Sequence, residues 1–407
     1  VAAAVFAFFV ADHDLGASLR DEFYGVEADA LGEAAGGQWG NRIGFTALAL
    51  TGAAFLRRAD RPWRVRGVLP ALLVLVAAWS LASIAWAPDT MRTARRLASL
   101  TFCYAGAVGF ARRLGGSELC WFVIAVALMF AGFGILVELA LGTFRPFVGG
   151  RFAGTLHPNG QGANCAFLCL AATTLLTTGD RHRRLLVGLI AFGLVMLLAT
   201  KSRTALGALL LGAAGVRLLR PTPATIAAGF AAVWLACLGV VVATLLGADL
   251  AERASAGLNM GRIEETGTLS GRTDLWDLLD EYARQRPWLG YGYGGFWTPA
   301  RIEAVSEDQY WGVSSAHSAY VETVLGTGRV GLVLLILVLV AGLLRAGGDF
   351  WTTADPGTGL LFGLLLVEVV QGFAESDMAV PSFSAFLLGC ALCRVAFFGP
   401  PHPEGAP

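Results

Sequence analysis

The run from Leu119 to Leu141, LCWFVIAVALMFAGFGILVELAL, decides the fold. Wound as a helix rising about 1.5 Å per residue, an apolar stretch of about 17 to 25 residues matches the hydrocarbon thickness of a bilayer. Outward from it the pattern recurs, and spans are expected near 1–10, 41–56, 67–86, 95–111, 119–141, 158–177, 185–199, 203–216, 223–246, 319–344, 358–374 and 381–398. Short charged or Gly/Pro-containing breaks separate them. Of the 407 residues 56% are apolar and 15% charged, too little polar surface to close a soluble globule of this size. The expected fold is therefore an all-α integral membrane protein of about twelve transmembrane helices, a single polytopic domain over 1–407 with one long loop at 247–318. The opening stretch from Val1 has no obvious small-residue cleavage site after it, so it reads as part of a helix rather than a signal segment.

Net charge is zero, so the distribution of charge carries the information. Lys201 is the only lysine, a bias that a high-GC genome explains. Arginines cluster at Arg57/Arg58/Arg61/Arg64/Arg66, Arg112/Arg113, Arg181/Arg183/Arg184 and Arg217/Arg220, in alternate connections, which the positive-inside rule makes cytoplasmic. Both termini then lie inside, and 11–40, 87–94, 142–157, 200–202, 247–318 and 375–380 lie outside. The cysteines, including the CxxC pair Cys390/Cys393 and the i,i+4 pair Cys165/Cys169, fall within expected spans and have no further ligands beside them. They read as small buried hydrophobes, with neither metal nor cofactor implied.

The long loop is not composed like a disordered segment, and loops of this length in compact proteins are commonly functional. Residues 273–284 read as an amphipathic helix, with Leu275, Leu278, Leu279 and Tyr282 on one face and Asp274, Asp277, Glu281 and Arg284 on the other. Asp280 and Arg284 have ion-pair spacing. Pro287 ends this helix and Gly290-Tyr-Gly-Tyr-Gly-Gly turns the chain; Trp276, Trp288, Trp297 and Trp311 suit a membrane interface. The glycines satisfy the spacing G-x-G-x-x-G, but they follow a helix and a proline rather than a strand, which argues against a dinucleotide site. Asp274-x-x-Asp277 reads as a solvated helix face rather than a metal pair. Arginine on the outer side, at Arg151, Arg203, Arg272 and Arg284, runs against the topological bias. Holding an anion such as a lipid diphosphate would explain it, as would interfacial snorkelling or pairing with loop carboxylates.

His317 stands where the loop re-enters the membrane, with Glu322 just over one turn on. His317-Ser318, nine residues, then Gly328-x-x-Gly331 resembles the signature of bacterial O-antigen ligases and related oligosaccharide polymerases. Arg151-Phe-Ala-Gly with Pro158-Asn, Ser202-Arg203-Thr-Ala, and Ser270-Gly-Arg272 through Trp276 to Pro287-Trp-Leu-Gly-Tyr-Gly resemble further family patterns in the same order. Ser318 stands where asparagine is common.

The resemblance implies a glycosyltransferase of GT-C type in the bacterial inner membrane, its active site facing the periplasm, working without metal or nucleotide sugar. Such enzymes move a glycan from undecaprenyl diphosphate to an acceptor sugar hydroxyl: on lipid A-core in the ligases, on another lipid-linked glycan in the polymerases. Attack at the anomeric carbon requires removal of the hydroxyl proton and stabilisation of the leaving diphosphate. His317 is the expected base, with Arg203, Arg272 and Arg151 binding diphosphate. Alternatively His317 orients the acceptor or donates a hydrogen bond to phosphate, and the proton goes to Glu322, or to Glu368 and Glu375, which stand seven apart on one expected face of the eleventh span near its outer end. A polymerase of the same superfamily is the nearest competing reading. A transporter is the non-enzymatic one, but it predicts ionisable groups near the bilayer midplane rather than at helix ends. Nothing suggests a nucleic-acid partner.

Overall fold

A computed structural model describes residues 5–8, 10, 39–59, 61–65, 67–145, 150–177, 182–220 and 272–399. Among these residues the secondary structure is helical, with no strand. The helices are α1 (Trp39–Arg58), α2 (Leu69–Ala82, continued by a 3₁₀ turn to Trp86), α3 (Thr90–Arg113), α4 (Gly116–Leu141), α5 (Pro158–Leu176), α6 (Arg183–Thr200), α7 (Arg203–Leu219), α8 (Arg272–Gln285), α9 (Pro299–Gln309), α10 (Ala319–Thr353), α11 (Pro356–Gln371) and α12 (Phe383–Cys393, continued by a π turn to Phe398). Leu69–Trp86, Gly116–Leu141, Arg183–Thr200 and Ala319–Thr353 are long and apolar enough to cross a membrane. Helices α1, α3, α5, α7, α11 and α12 coincide with six further expected spans. The expected span 223–246, half of 1–10 (residues 1–4 and 9), and 247–271 of the long loop lie outside the described residues.

Local chemistry sets where the helices begin. Asp89, Ser202, Ser318, Asp355 and Ser382 are N-caps whose side chains accept from backbone N–H groups of the first turn, and Pro158 and Pro356 occupy first positions where no N–H is needed. In the middle of the bundle, Phe8, Phe110, Phe122 and Phe386 pack edge to face or tilted, with ring centroids 4.8 to 6.5 Å apart.

Helix ends gather at two poles. At one, the start of α5, the turn between α6 and α7, the start of α10 and the end of α11 meet: Phe152 N donates to Ala199 O at 2.9 Å, and Ala319 N to Gly372 O at 2.9 Å. At the other, Arg112 reaches the end of α1 and Gly116 packs against Gly357.

Residues 272–318 form a cap over the first pole, with a small core of its own made by Leu275, Leu279, Tyr291, Phe296, Trp297, Ile302 and Val305. Leu278 and Tyr282 pack on its edge, Asp274 and Asp277 lie on the exposed face, and Asp280 pairs with Arg284 at 2.6 Å, as the helical period requires. One expectation is corrected: Trp297 is not interfacial but only 2% exposed, its indole bonded to Glu322, whereas Trp288 is 62% exposed.

Candidate active site at the capped pole

The Pro287–Gly295 turn sits in a kink of α10. Gly328 has left-handed backbone (φ 71°, ψ −174°) inside that helix, and a Cβ there would collide with the Trp288 carbonyl. Arg329 N, freed by the kink, donates to Pro287 O at 2.8 Å, and Tyr291 N donates to Leu325 O at 2.8 Å. A Cβ on Gly290 would lie 2.7 Å from Gly326 O. The glycines thus serve close backbone approach, which no side chain permits. Trp79 and Trp86 seal the joint, their indole N–H groups donating to Thr327 O at 2.9 Å and Leu289 O at 2.8 Å.

This joint fixes the segment that carries His317. Ala316 is held at both polar atoms: its carbonyl accepts from Trp276 Nε1 at 2.8 Å and its N–H donates to Glu322 Oε1 at 2.7 Å. Glu322 also accepts from Trp297 Nε1 at 2.9 and 3.0 Å. On the far side, Ser318 caps α10 and its hydroxyl donates to Gly372 O at 3.2 Å. Asparagine, common at this position in the family, is an equally good N-cap. Between these anchors His317 adopts left-handed backbone (φ 47°), a conformation that costs energy for a residue with a Cβ and persists only where its surroundings impose it. Its ring lies 5.6 Å from that of Trp311. Burial, reinforced by the Arg272 guanidinium, pushes its pKa down to about 4, so the imidazole is neutral at neutral pH.

Beside it runs a chain of polar contacts. Arg272, first residue of α8, donates from Nη2 to Glu375 Oε1 at 2.9 Å. The same oxygen accepts from Asn159 Nδ2 at 2.8 Å; Asn159 Oδ1 accepts from Arg151 Nη2 at 2.6 Å, and Arg151 Nε donates to Thr200 O at 3.0 Å. Glu375 Oε2 makes no hydrogen bond among the described residues. Burial raises the Glu375 carboxyl to about 7 despite the opposing pull of Arg272, and nearby Asp377 pushes the same way. A carboxylate titrating there is tuned to take a proton at neutral pH. The backbone joins the two groups, because Ala319 N donates to Glu375 O at 2.9 Å as well as to Gly372 O.

The structure thus brings Arg151, Arg272, His317 and Glu375 to one pole, with Asn159 between them. Arg203, the first residue of α7, is half-buried three residues beyond Thr200, the residue whose carbonyl holds Arg151. Glu322 is turned toward Trp297 and Ala316. Glu368 and Glu375 do not share a helix face: α11 ends at Gln371, so Glu368 stays in the bundle bonded to Ser384 at 2.7 Å, while Glu375 lies in the following turn. Asn159 was present in the Pro-Asn motif without a role. Arg92, in the expected outer connection 87–94, gave no signal, yet it is buried and donates to the Trp297 carbonyl, tying α3 to the cap.

A helical, multi-pass membrane bundle with a capped polar pole is the class these observations define, and residues 188–336 match the family model described as O-antigen ligase. The resemblance to the O-antigen ligase and polymerase superfamily is therefore shown over the segment holding Arg203, Arg272, His317, Glu322 and the Gly328/Gly331 kink. The chain is also similar to the exopolysaccharide production protein ExoQ of Rhizobium meliloti (strain 1021), 33% identical over 138 residues. That match covers 32% of this chain and 32% of the relative, about a third of each.

Proposed function

We propose that this protein is an inverting glycosyltransferase of the bacterial inner membrane, with about twelve spans and its capped pole facing the periplasm. It moves a glycan from undecaprenyl diphosphate to an acceptor sugar hydroxyl, in the manner of an O-antigen ligase. The observation that carries this reading is the Arg272–Glu375–Asn159–Arg151 chain beside His317, which sets guanidinium groups and a proton acceptor at one helix-bundle end.

In the reaction the bond between the anomeric carbon and the diphosphate oxygen breaks as the acceptor oxygen bonds to that carbon from the opposite side. Arg272, Arg203 and Arg151 stabilise the charge developing on the departing diphosphate, where planar bidentate donors suit phosphate oxygens. The hydroxyl proton passes to Glu375 through its unengaged oxygen. Burial and Arg272 keep His317 a neutral imidazole, and in that form it orients the acceptor hydroxyl. Glu322 serves by holding the His317 segment.

The similarity to ExoQ favours a second reading within the same chemistry, in which the acceptor is another lipid-linked glycan of an exopolysaccharide. The test of both is purified protein in nanodiscs supplied with an undecaprenyl-diphosphate glycan and, in separate reactions, lipid A-core or a second lipid-linked glycan. Transfer to either by the wild type, and none by a His317→Ala protein that still accumulates, is the expected result. No transfer to either acceptor sinks the reading.

A further inference from the structure

Glu138 takes no part in the chemistry above, yet it is an acidic residue in the apolar run that decides the fold, and it is 2% exposed. Ionisable groups inside spans are costly and are retained for a task. Its side-chain Oε1 accepts from two consecutive backbone N–H groups, Ala153 at 2.9 Å and Gly154 at 2.7 Å, while Oε2 has no partner among the described residues. Its backbone carbonyl accepts from Thr143 N at 2.9 Å. One residue of α4 therefore clasps both ends of the connection to α5. The second clasp needs close approach: Gly154 is left-handed (φ 67°), and a Cβ on it or on Gly134 would come within 2.8 Å of the other's Cα. On the other side of the turn, Phe152 N bonds Ala199 O. The residue immediately before these constraints in the chain is Arg151, whose Nε is itself held on Thr200 O at 3.0 Å.

We propose that Glu138 is a positioning residue for the donor site: by fixing the 151–154 turn it delivers the Arg151 guanidinium to Asn159 and so to Glu375. This rests on the donor-site reading above. An apolar residue at 138 would cross the membrane more easily, but it would leave two buried amides unpaired and the turn free to rotate.

The test combines Glu138→Gln, Glu138→Ala and Arg151→Ala, singly and as the Glu138→Ala/Arg151→Ala double variant, in full-length protein in nanodiscs. Two quantities are read: hydrogen exchange of the 151–156 segment, and the Kd for undecaprenyl diphosphate. Glu138→Gln keeps an accepting oxygen and is expected to retain both exchange protection and affinity. Glu138→Ala is expected to lose protection at 153–154 and to weaken binding about tenfold or more, the scale of a hydrogen bond to a charged group. It should add nothing further in the Arg151→Ala background, because the two changes remove one interaction. If Glu138→Ala does not accumulate, Glu138→Asp withdraws the acceptor by one methylene and is expected to weaken binding likewise. Wild-type affinity in the Ala or Asp variant, unchanged protection at 153–154, or additive losses in the double variant would overturn the proposal. A wild type that does not bind the diphosphate, or an Arg151→Ala protein that binds it normally, instead removes the donor-site reading, and exchange at 153–154 then decides the clasp alone.

Discussion

Both poles of the bundle are rich in arginine, and they use it differently. At the pole away from the cap, Arg112 donates to Leu56 O at 3.1 Å and Arg61 O at 2.9 Å, and lies over the Trp63 ring. Buried Arg394 reaches the Ala111 and Leu114 carbonyls. These guanidinium groups are spent on carbonyls at or just beyond the ends of α1 and α3, where a cation also complements the helix dipole. At the capped pole, Arg272 pairs instead with a carboxylate, and Glu375 titrates near neutrality. An arginine hydrogen-bonded only to backbone carbonyls, as Arg112 and Arg394 are among the described residues, braces the fold. An arginine paired with a carboxylate can exchange that partner for a phosphate, and the carboxylate so released can take a proton. The close, buried Arg272–Glu375 pair, rather than the number of arginines, marks the site; the carboxylate pair toward the other pole, Arg345 with Asp349 at 3.5 Å, is longer and more exposed.

The comparison breaks first at Glu375. Glu375→Gln keeps the shape and loses the base, and transfer is expected to fall by about 10² to 10⁴-fold while the protein accumulates; a turnover assay decides it. Arg272→Lys keeps the charge but loses the planar fork, so donor affinity should weaken by about 10 to 100-fold in a titration with lipid diphosphate. Gly328→Ala places a methyl against the Trp288 carbonyl in a left-handed position, and about 3 kcal/mol of stability should be lost, read as a lower thermal midpoint. Arg112→Gln sharpens the contrast from the opposite pole. It should lower stability by about 1 to 3 kcal/mol and leave donor affinity unchanged.

How far the sequence reveals all this depends on how local the cause is. The helices were legible because an apolar run declares itself without help from distant residues: 41–56 appears as the helix Trp39–Arg58, and 119–141 as Gly116–Leu141, which is long and apolar enough to cross a membrane. The face of α8 and its Asp280–Arg284 pair followed from helical period alone. Trp297 was misplaced because its burial is settled by Phe296, Tyr291 and α10, all brought together by a kink at Gly328 that no periodicity announces. Glu375 could not be preferred to Glu368, since the choice depends on α11 ending at Gln371 and on Arg272 arriving from 103 positions away. Glu138 was invisible for the same reason: its partners are backbone N–H groups, which every residue offers.

The pH dependence of transfer tests the central claim most directly. If Glu375 is the proton acceptor, only its ionised form works, so kcat/KM should rise with pH and level off above a limb near pH 7, and His317, neutral above about 4, should add no limb of its own there. The residual activity of Glu375→Gln should lack that limb. A wild-type profile that is flat through neutrality, or a limb near 7 that survives in Glu375→Gln, would contradict the account.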